Sequence, residues 1–406
     1  MNSRGWDTAR LGDHCSKIGS GATPRGGESV YQDNGVSFIR SQNVYNGQFA
    51  IDGLAHLNDD HAEMLKGVTV ESGDVLLNIT GDSVARSCRV PDEVLPARVN
   101  QHVAIIRPEP EKFDSRFIAY FLISPFMQDT MLSLAGSGGT RKALTKEMIE
   151  RFAVPKPPLP VQICIASILS TYDDLIENNR RRMALLEESA RLLYREWFVR
   201  LCFPGHEHTR IIDGVPEGWE KRNLGSVAEV NRQSLTAAHD GEIEYVDISS
   251  VTPNHINETT TYNFRDAPSR ARRIAQHGDI IWSCVRPNRR SHAVIWQLPS
   301  NLIVSTGFAV ITPTELPTSY LYQATTTDAF VGYLENHARG AAYPAVVAGD
   351  FERAMIVVPP KMLVASFDEL VKPLLMQTHN LQQQNQKIRA ARDLLLPRLM
   401  SGEIAV

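Results

Sequence analysis

LPVQICIASILSTYDDLIENNRRRMALLEESARLLYREWFVR, residues 159–200, decides the fold. Val161, Ile165, Ile168, Tyr172, Leu175, Met183, Leu186, Ala190, Leu193 and Trp197 recur at helical spacing, which places them on one face of an α-helix. At roughly 1.5 Å per residue such a helix is about 60 Å long. So long a single stripe has to be buried against something equally long. Asp173, Glu177, Arg181, Glu188 and Arg191 fall off the stripe and can stay hydrated.

The chain supplies the partner itself, PKMLVASFDELVKPLLMQTHNLQQQNQKIRAARDLLLPRLM, residues 360–400. Val161, Ile165, Ile168, Tyr172, Leu186, Leu193 and Trp197 correspond, 202 residues on, to Leu363, Phe367, Leu370, Leu374, Ile388, Leu395 and Leu399. The same offset matches Asn179 to Leu381 and Met183 to Asn385, and polar seam residues of this kind fix register at some cost in stability. A paired coiled coil is expected, with Ile165, Ile168, Tyr172, Leu186, Leu193 and Trp197 on one side of the seam and Phe367, Leu370, Leu374, Ile388 and Leu395 on the other. Pro373 runs against it, because proline inside a helix removes a hydrogen bond.

The repeat is global. GWDTARLGD (5–13) returns as GWEKRNLGS (218–226), SGDVLLNIT (72–80) as HGDIIWSCV (277–285), VNQHVAIIRP (99–108) as VSTGFAVITP (304–313), and ERFAVPKPP (150–158) as ERAMIVVPP (352–360). The offset shrinks from 213 (Gly5 to Gly218) to 202 (Glu150 to Glu352), as loop insertions would cause. Each half is expected to be α+β. Strands are expected at 36–40, 74–79 and 102–108, then a helix near 115–134; in the second half, strands at 244–249, 279–285 and 303–313, then a helix near 319–334. The implied organisation is a first globular domain (1–158), a long helix (159–203), a Gly- and Pro-bearing linker (204–217), a second globular domain (218–358) and a C-terminal long helix (359–406).

Hydrophobic content of 43% and charged content of 22% describe an ordinary globular chain. The net charge of −4 gives no global pull toward nucleic acid, so any such surface must be local. Cys15, Cys88, Cys164, Cys202 and Cys284 are scattered and never form CxxC, which points to reduced thiols. Asp7 and Asp13 interrupt the N-terminal residues, and no run approaches the roughly 18 apolar residues of a membrane span. A cytoplasmic protein is expected.

Catalytic signatures are missing from the sequence. GSGATP (19–24) and GSGG (136–139) lack the GK[ST] of a phosphate loop and the full dinucleotide fingerprint. His206, Glu207 and His208 lie in the linker without further clustered ligands. No nucleophile elbow occurs. What remains is loop chemistry suited to DNA, where Arg reads guanine, Asn and Gln read adenine, and Ser, Thr and amides hold phosphate. The candidates in the first half are Ser20, Thr23, Arg25, Arg40, Ser41, Asn43, Asn78, Thr80, Arg86, Asn100, Gln101, His102, Thr140, Arg141 and Lys142. Those in the second are Arg232, Gln233, Ser249, Arg286, Asn288, Arg289, Arg290, Ser305, Thr306, Arg339 and Tyr343.

The GW…LG openings at Trp6 and Trp219, the GDVL and GDII strands, GSGGTRKALT before VPKPP, and the ILS…ENNRRR…EWF and LL…RLMSGEI helices run through essentially the whole chain. In them the sequence resembles the specificity (S) subunit of type I restriction-modification enzymes. The resemblance implies two target-recognition domains, each reading half of a bipartite, asymmetric site in double-stranded DNA. It also implies that the two helices pair antiparallel, set the spacer and dock two methyltransferase subunits, with translocating endonuclease subunits joining the complex. The subunit itself would then be non-catalytic and hold no cofactor, with S-adenosylmethionine, ATP and Mg on its partners. The loop ARGAAYPAV lacks the Lys of GSGGTRKA, so the phosphate role carries less securely there. A stand-alone tandem DNA-binding regulator and a protein-binding scaffold are the alternatives.

Overall fold

The computed structural model describes residues 6–136, 142–212, 214–296, 299–340 and 342–406. The chain separates into two compact units, Met1–Glu177 with Asn385–Val406, and Asn178–Gln384. Each unit therefore takes a portion of both long helices.

In the first unit an antiparallel sheet has the order Cys15–Ser20, Val103–Pro108, Val75–Asn78, Ser87–Arg89. A second sheet has the order Ala55–Leu57, Val36–Ile39, Ala97–Val99, Thr69–Val70, with Val36–Ile39 parallel to Ala97–Val99. Side chains alternate across a strand. Val75, Leu77, Ala104 and Ile106 thus pack with Phe117, Ile165 and Leu169 of the helices. Leu76, Val103 and Ile105 pack with Ile39, Val70, Ala97 and Val99 of the second sheet. Burial on both faces is why these strands read as continuous apolar runs.

The second unit repeats this order strand for strand. One sheet runs Ala228–Val230, Phe308–Pro313, Ile280–Ser283, His292–Val294; the other runs Thr260–Asn263, Glu242–Val246, Leu302–Ser305, Ala271–Ile274, again with one parallel pair. The single strand expected at 303–313 is two, Leu302–Ser305 and Phe308–Pro313, which enter different sheets through the turn at Thr306 and Gly307. Each expected helix near 115 and 319 is also a pair: Ser115–Ile123 with Pro125–Gly136, and Thr318–Thr325 with Asp328–His337. Pro125 forces Ser124 into an extended conformation, and the first pair bends by 69° there. Within the expected linker, His206–His208 forms a short turn and Ile211–Ile212 pairs with Val215–Pro216.

The first long helix spans Leu159–Tyr194 and continues as a π-turn over Arg195–Val199; the second spans Lys361–Met400 and passes through Pro373 unbroken. Both units pack the helices antiparallel. In the first, Arg392 pairs with Asp173, and Asn385 donates to the Ile176 carbonyl at 3.3 Å, so one helix retreats as the other advances. In the second, the Phe367 ring lies 6.0, 5.9 and 5.0 Å from those of Tyr194, Trp197 and Phe198.

The seam differs in phase from the expected stripe. Ile165, Met183, Ala190, Trp197 and Phe367 are buried as expected, and Ile168, Leu193, Leu374 and Leu395 are partly buried against the cores. Tyr172, Leu186 and Ile388 are half-buried. Leu175 and Leu370, however, are 47% and 51% exposed, and their neighbours Ile176 and Val371 are buried instead. Polar Gln162 and Thr378 occupy buried seam positions that a hydrophobic pattern passes over, while Asn179 and Asn385 are buried in the seam as expected. Gln162 is held fully, accepting from the Asp114 amide at 3.0 Å and donating to the Lys112 and Pro157 carbonyls at 3.1 and 2.9 Å. One 18-residue window of the first long helix reaches mean hydropathy 1.2, the length and composition of a membrane span, contrary to expectation. Its Ile165, Ala166 and Leu169 lie within the first unit's core.

A partly buried polar chain ties the helix to the second unit's sheet. Glu187 accepts from Asn254 Nδ2 at 2.7 Å and lies 3.3 Å from His255 Nε2; Tyr322 donates to Asn254 Oδ1, and His292 Nδ1 lies 3.0 Å from the Tyr322 hydroxyl. Burial, with Arg290 second, pushes the His292 imidazole down to about 3.

Two predictions follow from this packing. Phe367→Ala should lower the denaturant stability of the chain by about 3–5 kcal/mol, against less than about 0.5 kcal/mol for Leu370→Ala; equal losses would place the seam elsewhere. An unfolded His292 takes up a proton near pH 6.5 and the folded one does not, so stability falls as pH drops from about 6.5 toward 3. Urea midpoints should therefore fall further between pH 7 and pH 5 in the wild type than in His292→Gln, and parallel falls would remove His292 as the cause.

Candidate nucleic-acid interface

In the first unit four sequence candidates, Ser41, Thr80, Arg86 and His102, converge on a cleft of about 460 Å³, together with Gln42, Tyr45, Gly81, Asp82 and Ser83. The Arg86 guanidinium lies over the Tyr45 ring, 4.8 Å from its centroid, and Thr80 Oγ1 lies 2.6 Å from His102 Nδ1. Tyr45 is presented by a two-residue hairpin, Val44–Tyr45 with Gln48–Phe49, closed by Asn46 and by Gly47 at φ 70°. Gln101 is exposed beside His102, and exposed Lys142 gives its carbonyl to the Gly81 amide at 3.2 Å. Ser20, Thr23 and Arg25 are exposed outside the cleft lining. Thr140 and Arg141 lie outside the described residues.

Three candidates of this half are corrected by burial. Asn43 is fully buried, accepting from the Arg40 amide at 3.0 Å and donating to the Ala50 carbonyl at 2.9 Å. Asn78, also fully buried, donates to the Ser41 carbonyl at 2.8 Å and the Val44 carbonyl at 3.3 Å. Asn100 closes its own turn by accepting from the His102 amide at 3.1 Å. Arg40 is half-buried, donating to the Gly53 carbonyl at 2.8 Å beside Tyr31. GSGATP is a close crossing: a Cβ on Gly21 would sit 2.0 Å from the Val99 carbonyl oxygen.

The second unit places a different loop at the matching edge. Arg286 stacks 4.7 Å from the centroid of Tyr343 and donates to the Ala342 carbonyl at 3.1 Å. Asn288 and Arg289 are exposed on the turn Pro287–Arg289, and Arg290 pairs with Asp328. Arg339 is exposed and pairs its backbone with Ala345, on the loop that carries Tyr343. Thr306 is exposed. Ser305 is corrected, for it is fully buried and accepts from the Gly307 amide at 3.2 Å, the same turn-closing role as Asn100. Arg232 pairs with Glu229 at 3.2 Å, and Gln233 accepts from Gln276 at 3.4 Å. Ser249 donates through its amide and hydroxyl to Asp247; against burial, these bonds and one from Tyr245 hold that carboxyl below its ordinary range.

Sequence inspection missed Gln42, Tyr45, Asp82 and Arg270. The Asn-Gly pair after Tyr45 signalled a hairpin that would present the ring. The basic run SRARR (269–273) signalled exposed Arg270, whose carbonyl accepts from the Thr306 amide at 2.8 Å.

Comparison with known proteins converges on one family. The family model described as the type I restriction modification DNA specificity domain matches residues 3–188. The chain is 23% identical to the type I restriction enzyme MjaIX specificity subunit of Methanocaldococcus jannaschii, over 99% of this chain and 94% of that protein. It is 21% identical to the HindI specificity subunit of Haemophilus influenzae, over 91% and 94% respectively. The crystal structure of a type I restriction-modification S subunit from M. genitalium shares the fold, with a TM-score of 0.61 at 14% identity over 98% of this chain and 97% of that one. Matched over nearly its whole length by such relatives and duplicated in strand order, the chain is similar to type I restriction-modification specificity subunits.

Proposed function

We propose that this chain is the DNA-recognition subunit of a type I restriction-modification complex, and that each unit reads one half of a bipartite, non-palindromic site. The observation that carries this is the contrast between identical scaffolds and different loops. The same strand order presents Ser41, Gln42, Tyr45, Arg86 and His102 in one unit and Arg286, Asn288, Arg289, Thr306 and Tyr343 in the other. Different donor and acceptor sets do not prefer one sequence, since each well-placed pair discriminates by about 1–3 kcal/mol. Joining two readers in one chain raises effective concentration, so two modest half-sites bind tightly only when both are present.

The helices set the gap between half-sites and dock two methyltransferase subunits, with endonuclease subunits joining the complex in the cytoplasm. Methyl transfer requires extrusion of the target base, and that chemistry, with S-adenosylmethionine, ATP and Mg, belongs to the partners. Methyl transfer by the purified chain alone would overturn the non-catalytic assignment.

Methylome sequencing of a host carrying the complete system tests the reading itself. Exchanging residues 1–150 for those of a relative should change one half-site only, and inserting about four residues in one long helix should change only the gap, since one turn advances about 5.4 Å. A perfect inverted repeat, two altered halves or an unaltered gap would each count against it.

A further inference from the structure

Arg86 differs from the other arginines of its unit that face the interior. Arg107 is held by Asp74 at 2.7 and 2.8 Å, and Arg98 donates to the Ala62 and Ala97 carbonyls, both at 3.0 Å. Among the described residues, no hydrogen bond or ion pair engages the Arg86 guanidinium, which is braced only by the Tyr45 ring. Asp82, on the same cleft wall, is exposed and likewise makes no ion pair, with Arg86 or any other described residue.

The cleft is built to hold this arrangement. Ala85, immediately before Arg86, is fully buried and adopts φ 74°, a left-handed conformation that a non-glycine residue rarely holds. Its amide donates to the Asn78 carbonyl at 2.9 Å, and the Asn78 amide donates to the Arg86 carbonyl at 2.8 Å. Through its side chain, Asn78 also holds the carbonyls of Ser41 and Val44, on the opposite wall beside Tyr45. Gln128 closes the back of the turn, donating to the Ala85 carbonyl at 2.9 Å. One buried asparagine thus spans both walls, and strain is stored at the residue that aims the arginine.

We propose that Arg86 and Asp82 are specificity-determining residues that read a single G·C base pair. The guanidinium donates to guanine O6 and N7, and the Asp82 carboxylate accepts from the cytosine N4 amine. This rests on the DNA-reading function above and adds the base pair and the residues that select it. A ring-braced guanidinium keeps its fork oriented before DNA arrives, which lowers the ordering cost of the contact. Tyr45 is therefore a positioning residue.

The test compares wild type, Arg86→Lys and Asp82→Asn within the complete system by methylome sequencing. Lysine keeps the charge and loses the fork. Both variants should make the same G·C position of one half-site degenerate, with discrimination there falling by about 5- to 150-fold and the other half unchanged. A uniform loss of methylation with the motif intact would make Arg86 a phosphate contact and overturn the proposal. Relaxation of different positions by the two variants, or of none, would also overturn it. A second arm uses the wild-type complex and oligonucleotides carrying 7-deazaguanine in place of each guanine in turn. One substitution should weaken binding by about tenfold through loss of the N7 acceptor, and undiminished binding with every guanine replaced would refute the proposal even if a variant failed to fold. If the wild-type system methylates no bipartite motif at all, the DNA-reading function itself fails; a bipartite motif indifferent to both arms refutes only the Arg86–Asp82 assignment.

Discussion

Everything in the two units depends on burial of one seam along each long helix. Ile165 and Leu169 share a core with Leu396 and Leu399 and with the sheet residues Val75 and Ile106. Trp197 and Phe198 share another with Phe367 and Val371 and with Ile280 and Ile311. Neither core is complete without residues from both helices, so segments far apart in sequence must meet before either closes. The polar members of the seam specify how they meet. Gln162 makes three hydrogen bonds and Asp173 serves both Arg392 and Tyr120, the latter at 2.5 Å. A buried polar group stripped of its partner costs about 1–3 kcal/mol, so a slipped register is penalised at each of these positions.

Duplication supplies the scaffold, and small substitutions at shared buried positions give the loops their separate shapes. Asn78 and Ser283 occupy equivalent places at the end of a central strand and both are buried. Asn78 is long enough to cross to residues 41–44, whereas Ser283 stays on its own loop, donating to the Val285 carbonyl at 2.9 Å and accepting from the Val285 amide at 3.2 Å. Asn100 and Ser305 show the opposite case, where different residues close the same turn. Loop diversity in this fold is set partly from beneath, by which buried polar side chain can reach which backbone.

The net charge of −4 leaves room for locally positive surfaces because charge here is arranged locally. Arg107 and Arg392 neutralise carboxylates inside their units. Arg86 and Arg286 stack on exposed tyrosines, and Arg289 lies at the surface. Composition averages these roles together, and only the partner of each guanidinium separates them.

The sequence by itself determined the α+β class, the duplication and the two long, paired helices. These follow from apolar periodicity and self-similarity, signals that extend over tens of residues and tolerate a local error of phase. It missed the phase at Leu175 and Leu370, because glutamine and threonine in the seam look like surface. It also missed the split of residues 303–313 between two sheets. The tertiary structure alone decided which polar loop residues face outward. Asn43, Asn78, Asn100 and Ser305 are chemically indistinguishable from readers of DNA until their neighbours are known, and only folding brings the backbone amides and carbonyls that occupy them. Arg86 and Asp82 share one loop while Tyr45 comes from a separate hairpin, and Asn78 bonds to both segments across the cleft between them.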